Sequence, residues 1–251
     1  MSQFFESLSE LLETTRAVVR GNEEAVHRLN VMTGSVDEPP MVVELAELIN
    51  HLAVQKDARE FRLELMIEDL LATHAALESA KHDALTGLPN RGLFHELLNQ
   101  ACANAQRKGQ TMDLMFVELD RFKQVNDSMG HDAGDELLIQ VSQRLSACVR
   151  EGDIVARLGG DEFTVVLCQL DDKKTGIQIA ERILADLKTT FSLSMGCADI
   201  GSSVGVSFFP HDAIQPLSLL KNADVAMYQA KEAGRNTYRL YRPGMGGGLL
   251  K

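Results

Sequence analysis

Cysteine is scarce in this chain: Cys102, Cys148, Cys168 and Cys197 are the 4 in 251 residues, they stand far apart, and none forms a C-x-x-C pair. That pattern excludes a zinc knuckle and a secreted disulfide framework, and it predicts reduced core thiols. Positive charge is also short. With 25 Lys and Arg against 36 Asp and Glu, the net charge is −11, which supplies no basic footprint for a nucleic-acid backbone. A nucleotide carried on a metal ion stays compatible with that balance. No apolar run approaches the roughly eighteen residues of a membrane span, and Met1–Glu10 lacks the basic region and cleavage site of a leader, so the expectation is a cytoplasmic protein. The remaining composition is ordinary globular, 45% hydrophobic and 24% charged. The length suits one large domain, or a domain of roughly 150–200 residues with an appendage.

The first eighty residues read as helical. Phe4, Phe5, Leu8, Leu11 and Leu12 form one stripe that Gly21 can end, and a short second helix runs from the cap Asn22 through Val26 and Leu29 to Gly34. After Pro39-Pro40 a seven-residue register continues through Val42, Leu45, Ile49, Leu52, Lys56, Arg59, Leu63, Met66, Leu70, Thr73, Leu77 and Ala80. At 1.5 Å per residue this is a rod of roughly 60 Å, read as a parallel two-stranded coiled-coil stalk with a polar interruption at Lys56 and Arg59. The domain expectation is therefore a helical stalk for regulation and dimerisation over 1–80, a catalytic domain over 81–243, and a disordered Gly-rich tail over 244–251.

Asp83-Ala-Leu-Thr-Gly-Leu-Pro-Asn-Arg91 is dense in caps and breakers; it ends the rod and starts a helix at about Gly92. Elements then alternate. The pattern predicts strands at Met112–Leu119 and Ser202–Phe208, a hairpin of Asp153–Leu158 with Glu162–Gln169, and a last strand at Thr237–Tyr241. Helices are expected to Lys108, at Phe122–Met129, Ala133–Val149, Thr175–Leu187 and Leu217–Glu232. A hairpin inside a helix-strand alternation predicts an α+β fold, a ferredoxin-like or palm-type mixed sheet with packed helices.

The chemistry concentrates in two segments. In Arg157-Leu-Gly-Gly-Asp-Glu-Phe163, Gly159 and Gly160 allow a tight turn, and Asp161 and Glu162 leave it at the mouth of a strand buried through Phe163, Val165 and Leu167. Hard oxygen ligands there suit Mg²⁺ held together with substrate phosphates, although the tetrad alone also suits an ordinary hairpin with two solvated acids. In the second segment Glu118 and Asp120 share a strand face by period two, and either can join Asp161 and Glu162 around a metal if the strands are neighbours. Asn126 offers an amide donor to a purine edge. Asp135 offers only acceptors, matching the N1–H and N2–H₂ donors of guanine and not the edge of adenine.

These residues, with Asp83-x-Leu-Thr-Gly-Leu-Pro-Asn-Arg91, Gly130-His-Asp-x-Gly-Asp135, Ser203-x-Gly205 and Ala230-Lys-x-x-Gly-Arg-Asn236, fall in the order seen in GGDEF-domain diguanylate cyclases. The resemblance covers about Lys81–Tyr241. It implies Mg²⁺-dependent (or Mn²⁺-dependent) condensation of two GTP into cyclic di-GMP, with loss of two pyrophosphates, by a homodimer whose half-sites face each other. By the same resemblance Asp161 and Glu162 act on the metals and the 3′-hydroxyl, while Lys123, Lys231 and Arg235 neutralise phosphate. Phe122, Lys123, Asn126, Asp135, Gly159 and Gly160 would bind GTP, with Asn126 and Asp135 reading guanine. The metal set implied is Glu118, the carbonyl of Leu119, Asp161 and Glu162. Glu118 departs from the family, which usually has Asp there, so the added methylene bears on a cation that tolerates little geometric error. Arg150-Glu-Gly-Asp153, with five residues between Asp153 and Gly159, matches the RxxD product-inhibition site. The alternative is a non-catalytic receptor for cyclic di-GMP at Arg150 and Asp153. The layout also resembles short cytoplasmic cyclases with a helical stalk, the SiaD type of biofilm regulator, which implies a small regulatory protein on the N-terminal helices.

Overall fold

The computed structural model describes residues 2–33, 39–170 and 173–245. The chain divides into two compact units, Met1–Ala76 and Leu77–Lys251.

In the first unit, α1 (Ser2–Val19) ends before Gly21 at φ 81°, and α2 (Glu23–Thr33) is capped by the Asn22 side chain, which accepts from the amides of Glu24 and Ala25 at 3.0 and 3.2 Å. The expected end of this helix at Gly34 lies outside the described residues. α3 (Pro40–Ser79) begins at the second proline, which needs no amide hydrogen there. Leu11, Leu29, Met32, Val42 and Ala46 form a small core with Val18 and Ile49 against it. Two details differ from the sequence pattern. The inward face of α1 runs through Ser7, Leu11 and Thr14, whereas Phe5 is 63% exposed, because the buried row includes two small polar residues that an apolar count passes over. Val42, the first position of the seven-residue register, packs inside its own chain. From Leu52 onward the register's apolar members Leu52, Leu63, Met66 and Leu70 lie exposed.

The second unit is built on a five-stranded sheet. In chain order come α4 (Arg91–Lys108), β1 (Thr111–Asp120), α5 (Phe122–Met129), α6 (His131–Ala147), β2 (Ile154–Gly159) and β3 (Glu162–Leu170). There follow α7 (Lys173–Leu187), β4 (Phe191–Leu193), β5 (Gly196–Ala198), β6 (Gly201–Phe209), α8 (Pro216–Glu232) and β7 (Thr237–Leu240). The strand order is β2-β3-β1-β6-β7, antiparallel except for the parallel pair β6 and β7. Alternation along β1 sorts the two cores. Met115, Val117 and Leu119 face α6 and α7 with Phe163, Val165 and Leu167 of β3, while Met112, Leu114 and Phe116 face α4 and α8. This is the mixed sheet with packed helices expected from the pattern. The short β4–β5 ribbon was not foreseen, since three-residue strands carry no readable period. α6 starts at His131 rather than Ala133, directly after Gly130 at φ 88°. Most of the expected tail, from residue 246, lies outside the described residues.

Candidate active site

Gly159 and Gly160, at φ 140° and 53°, turn the chain from β2 into β3, a path that side-chain-bearing residues rarely take. Two arginines brace this turn. Arg157 donates through Nε and Nη2 to the Gly160 carbonyl at 3.0 and 2.8 Å, and through Nη1 to both Asp83 oxygens at 2.9 and 3.0 Å. Although burial opposes it, hydrogen bonds from Thr86 and Arg157 hold the Asp83 carboxyl below its ordinary range. Arg91, the first residue of α4, donates from Nε to the Leu158 carbonyl at 3.2 Å and from Nη2 to Glu162 at 3.4 Å. The Asp83–Arg91 segment therefore docks on the Gly159–Gly160 turn from outside it.

The pairing of β1 with β3 sets Glu118 directly opposite Glu162, and the Leu119 amide donates to the Asp161 carbonyl at 3.3 Å. Glu118 continues the row of Met112, Leu114 and Phe116, so its side chain meets Lys231 of α8, which donates to it. Asp120 does not join them: it is 5% exposed and accepts from Ser203 Oγ and the Asn236 amide, both at 2.8 Å. Of the two strand carboxylates left open by period two, Glu118 is the one beside Glu162.

Among the described residues, no group of three or more His, Cys, Asp or Glu side chains converges as a metal cage. Glu118 and Glu162 instead each have a cation on them, Lys231 on Glu118 and Arg91 on Glu162. The donor set fits a divalent ion. It consists of hard oxygens, and the Glu162 carboxyl is pushed above its ordinary range, first by burial, then by Glu118, Asp224 and Asp161 against the opposing pull of Arg91. A cation added there relieves an excess of negative charge. The Arg91–Glu162 pair, with side chains 59% and 39% exposed, is of the weak surface kind and opposes that exchange by no more than about 1 kcal/mol.

At the α5–α6 corner, Asn126 Oδ1 is buried with no hydrogen-bond partner among the described residues. It lies over Gly134, where an added Cβ would stand 1.8 Å away, with the Phe122 ring beside it. The structure thus brings Phe122, Asn126 and the Gly134–Asp135 start of α6 together, with Asp135, Lys123 and Arg235 exposed. Arg150 and Asp153 are also neighbours. The Arg150 amide donates to Asp153 Oδ2 at 3.2 Å, and its Nη2 donates to the carbonyls of Cys168 and Gln169 at 2.6 and 3.2 Å. Asp153 Oδ1 accepts from the Cys168 amide at 3.0 Å, so both residues are engaged with the end of β3.

Sequence reading missed Asp224 altogether, and gave Asp83, Arg91, Gly134 and Arg157 no individual role. The signal for Asp83 and Arg91 was their place in a dense turn motif; the contacts that use them span 74 and 71 residues of chain.

A family model described as "Diguanylate cyclase, GGDEF domain" matches residues 80–237. The diguanylate cyclase TpbB of Pseudomonas aeruginosa is 36% identical over 201 residues, covering 79% of this chain and 45% of TpbB. The coiled coil and GGDEF domain of DgcB from Caulobacter crescentus, solved with c-di-GMP, superimposes with a TM-score of 0.65 at 27% identity, over 74% of this chain and 97% of that one. The diguanylate cyclase SiaD from Pseudomonas aeruginosa, solved with its activator SiaC, gives a TM-score of 0.60 at 30% identity, over 94% of this chain and 86% of that one. The chain spans less than two thirds of the length of these curated relatives, one of which is named a cyclic di-GMP phosphodiesterase. The matched segment fills more than half of the sequence and carries the Gly159–Glu162 turn together with Glu118, and on that ground the chain belongs to the GGDEF family.

Proposed function

We propose that the protein condenses two GTP into cyclic di-GMP with release of two pyrophosphates. The observation that carries this reading is the cross-strand pair Glu118 and Glu162, flanked by Asp161 and attended by Lys231, beside a corner that holds Phe122, Asn126 and Asp135. Asp161, Glu162, Glu118 and the Leu119 carbonyl would hold Mg²⁺ or Mn²⁺, which lowers the pKa of the 3′-hydroxyl and neutralises phosphate charge. Asn126 and Asp135 orient guanine through one donor and a pair of acceptors. Lys231 and Arg235 take phosphate charge, with Lys123 and the Gly159–Gly160 backbone alongside. Glu162 accepts the 3′-hydroxyl proton. The freed 3′-oxygen attacks the α-phosphorus of the second GTP, its α–β anhydride bond breaks, and pyrophosphate leaves; a second such event closes the ring.

One site holds one GTP, so the ring needs two chains. The reading therefore includes a homodimer, with residues 1–80 as regulatory and dimerisation region and 81–243 as catalytic domain. The likeness to SiaD along nearly the whole chain supports a regulatory protein on the N-terminal helices, and the juxtaposed Arg150 and Asp153 support a product-inhibition site. A GTP-consuming reaction belongs in the cytoplasm, and no described helix is long and apolar enough to cross a membrane. The test is incubation of the purified protein with GTP and Mg²⁺ followed by nucleotide separation. Cyclic di-GMP and pyrophosphate are the expected products; binding of added cyclic di-GMP without turnover would favour the receptor alternative.

A further inference from the structure

Asp120 is a buried carboxylate at the end of β1 that the mechanism above does not use. Its Oδ1 accepts from Ser203 Oγ and its Oδ2 from the Asn236 amide, both at 2.8 Å. The segment it holds is conformationally costly. Gly234, Arg235 and Asn236 follow one another at φ 111°, 66° and 44°, two of them residues with side chains in the left-handed region. The near end of this segment is tied to the last turn of α8, where the Gly234 amide donates to the Lys231 carbonyl and the Arg235 amide to the Ala230 carbonyl, both at 3.2 Å. The far end is tied to Asp120. Between the two anchors stands Arg235, exposed, four residues after Lys231.

We infer that Asp120 is a positioning residue for Arg235: its charge, buried between Ser203 and the Asn236 amide, fixes the left-handed segment that aims the Arg235 guanidinium at the substrate phosphates. A carboxylate suits this position because it accepts both bonds at once and strengthens each by its charge. Without it, Arg235 and Asn236 relax toward ordinary φ values and the guanidinium leaves its place. The inference rests on the cyclase reading, which assigns the phosphates to Arg235.

The test is a double-mutant cycle in the full chain with Asp120→Ala, Arg235→Ala and the combination, reading equilibrium binding of GTP and of guanosine together with turnover. Asp120→Ala is expected to weaken GTP binding about tenfold, the scale of a lost charge-assisted hydrogen bond, and to leave guanosine binding unchanged. In the Arg235→Ala background it should add little. Asp120→Asn keeps the shape, and with the Ser203 hydroxyl turned round keeps both bonds, so it should restore most of the affinity; should Asp120→Ala fail to fold, Asp120→Asn and Ser203→Ala carry the measurement, each with a loss of a few-fold. Equal loss of GTP and guanosine, additivity with Arg235→Ala, or wild-type affinity in every Asp120 and Ser203 variant would overturn the inference. A changed metal requirement with GTP affinity intact would also overturn it, by assigning Asp120 to the metal. A wild-type protein that binds no GTP refutes the cyclase reading instead.

Discussion

The two units of this chain spend their apolar residues in opposite ways. Leu77–Lys251 sorts them by strand alternation into two cores, one on each face of the sheet, and Phe94, Phe163, Phe191 and Phe209 are all fully buried. Among the described residues of Met1–Ala76 a handful of side chains around Leu11, Leu29 and Val42 are enclosed, while Leu52, Phe61, Leu63, Met66, Leu70 and Leu71 of α3 stay exposed. Full burial of one such side chain stabilises by about 1.5–3 kcal/mol, so the first unit leaves a stabilisation unrealised that the second has already taken up. The lesson is a division of labour. The sheet unit carries its own stability and can devote its surface to charged chemistry, whereas in our reading the helical unit is completed by a second copy of the chain.

The sharpest way to break this comparison is to remove the proposed chemistry from the sheet unit without touching its packing. Glu162→Gln and Asp161→Asn keep volume nearly constant at half-buried positions. Each is expected to lower cyclic di-GMP formation by about a thousandfold or more, the scale of a lost electrostatic contact at a reacting centre, with an unchanged melting temperature. Substantial residual turnover in either variant would mean that this turn is not the catalytic centre.

A smaller effect is expected where the sheet unit's packing and its site meet, at the Asp83–Arg157 pair, whose side chains are 22% and 11% exposed. Asp83→Asn should destabilise by about 2 kcal/mol at neutral pH, because it leaves the Arg157 charge partly buried and unpaired. The pH dependence has a fixed sign. The Asp83 carboxyl lies below 3.8 in the folded chain, so its contribution is complete above that value and fades as pH falls through the lowered one. Denaturation of wild type and Asp83→Asn should therefore differ at pH 7 and converge in strong acid. A gap that persists at pH 2 would show that packing, not charge, is what Asp83 supplies.

The same contrast explains what was legible in the sequence. Strands buried on alternating faces announce themselves by period two, which is why β1, β3 and β6 were readable and the hairpin of β2 with β3 followed. Candidate site residues could be named where one local segment carries the logic, as at Gly159–Glu162 and at Asn126 with Asp135. It was obscure where the decision is made across the fold. Glu118 and Asp120 have the same strand parity, and only the approach of Lys231 on one and of Ser203 with Asn236 on the other separates them. Arg157 looks like any strand arginine until the Asp83 turn docks on it. In the helical unit the heptad pattern located α3, but it did not reveal that Val42 is already consumed by the chain's own α1 and α2.

The smallest expected effect, and the one that sharpens the comparison most, lies in α3. Lys56 and Arg59 interrupt the exposed stripe between Leu52 and Leu63, and Lys56 pairs with Glu60 one turn away at 3.0 Å. That exposed pair is worth no more than about 0.5 kcal/mol. Replacing both residues by Leu should leave the isolated chain's stability nearly unchanged, because exposed leucines gain nothing until they are covered. Against a second copy in parallel register, the same change removes two facing pairs of like charges and adds a continuous apolar seam, so self-association should tighten about tenfold or more. Basal cyclase activity should then rise a few-fold at protein concentrations where the wild type is mostly monomeric, since two half-sites are needed. Sedimentation and GTP turnover measured on the same preparations read both effects. A competing geometry is present in the helix itself: Val54, Phe61 and Leu65 form another exposed stripe, and at about 100° per residue Val54 points roughly 200° away from Leu52. If the double leucine variant associates no more tightly than the wild type while Phe61→Glu loosens association, the seam lies on that opposite face and the register through Lys56 and Arg59 faces another partner.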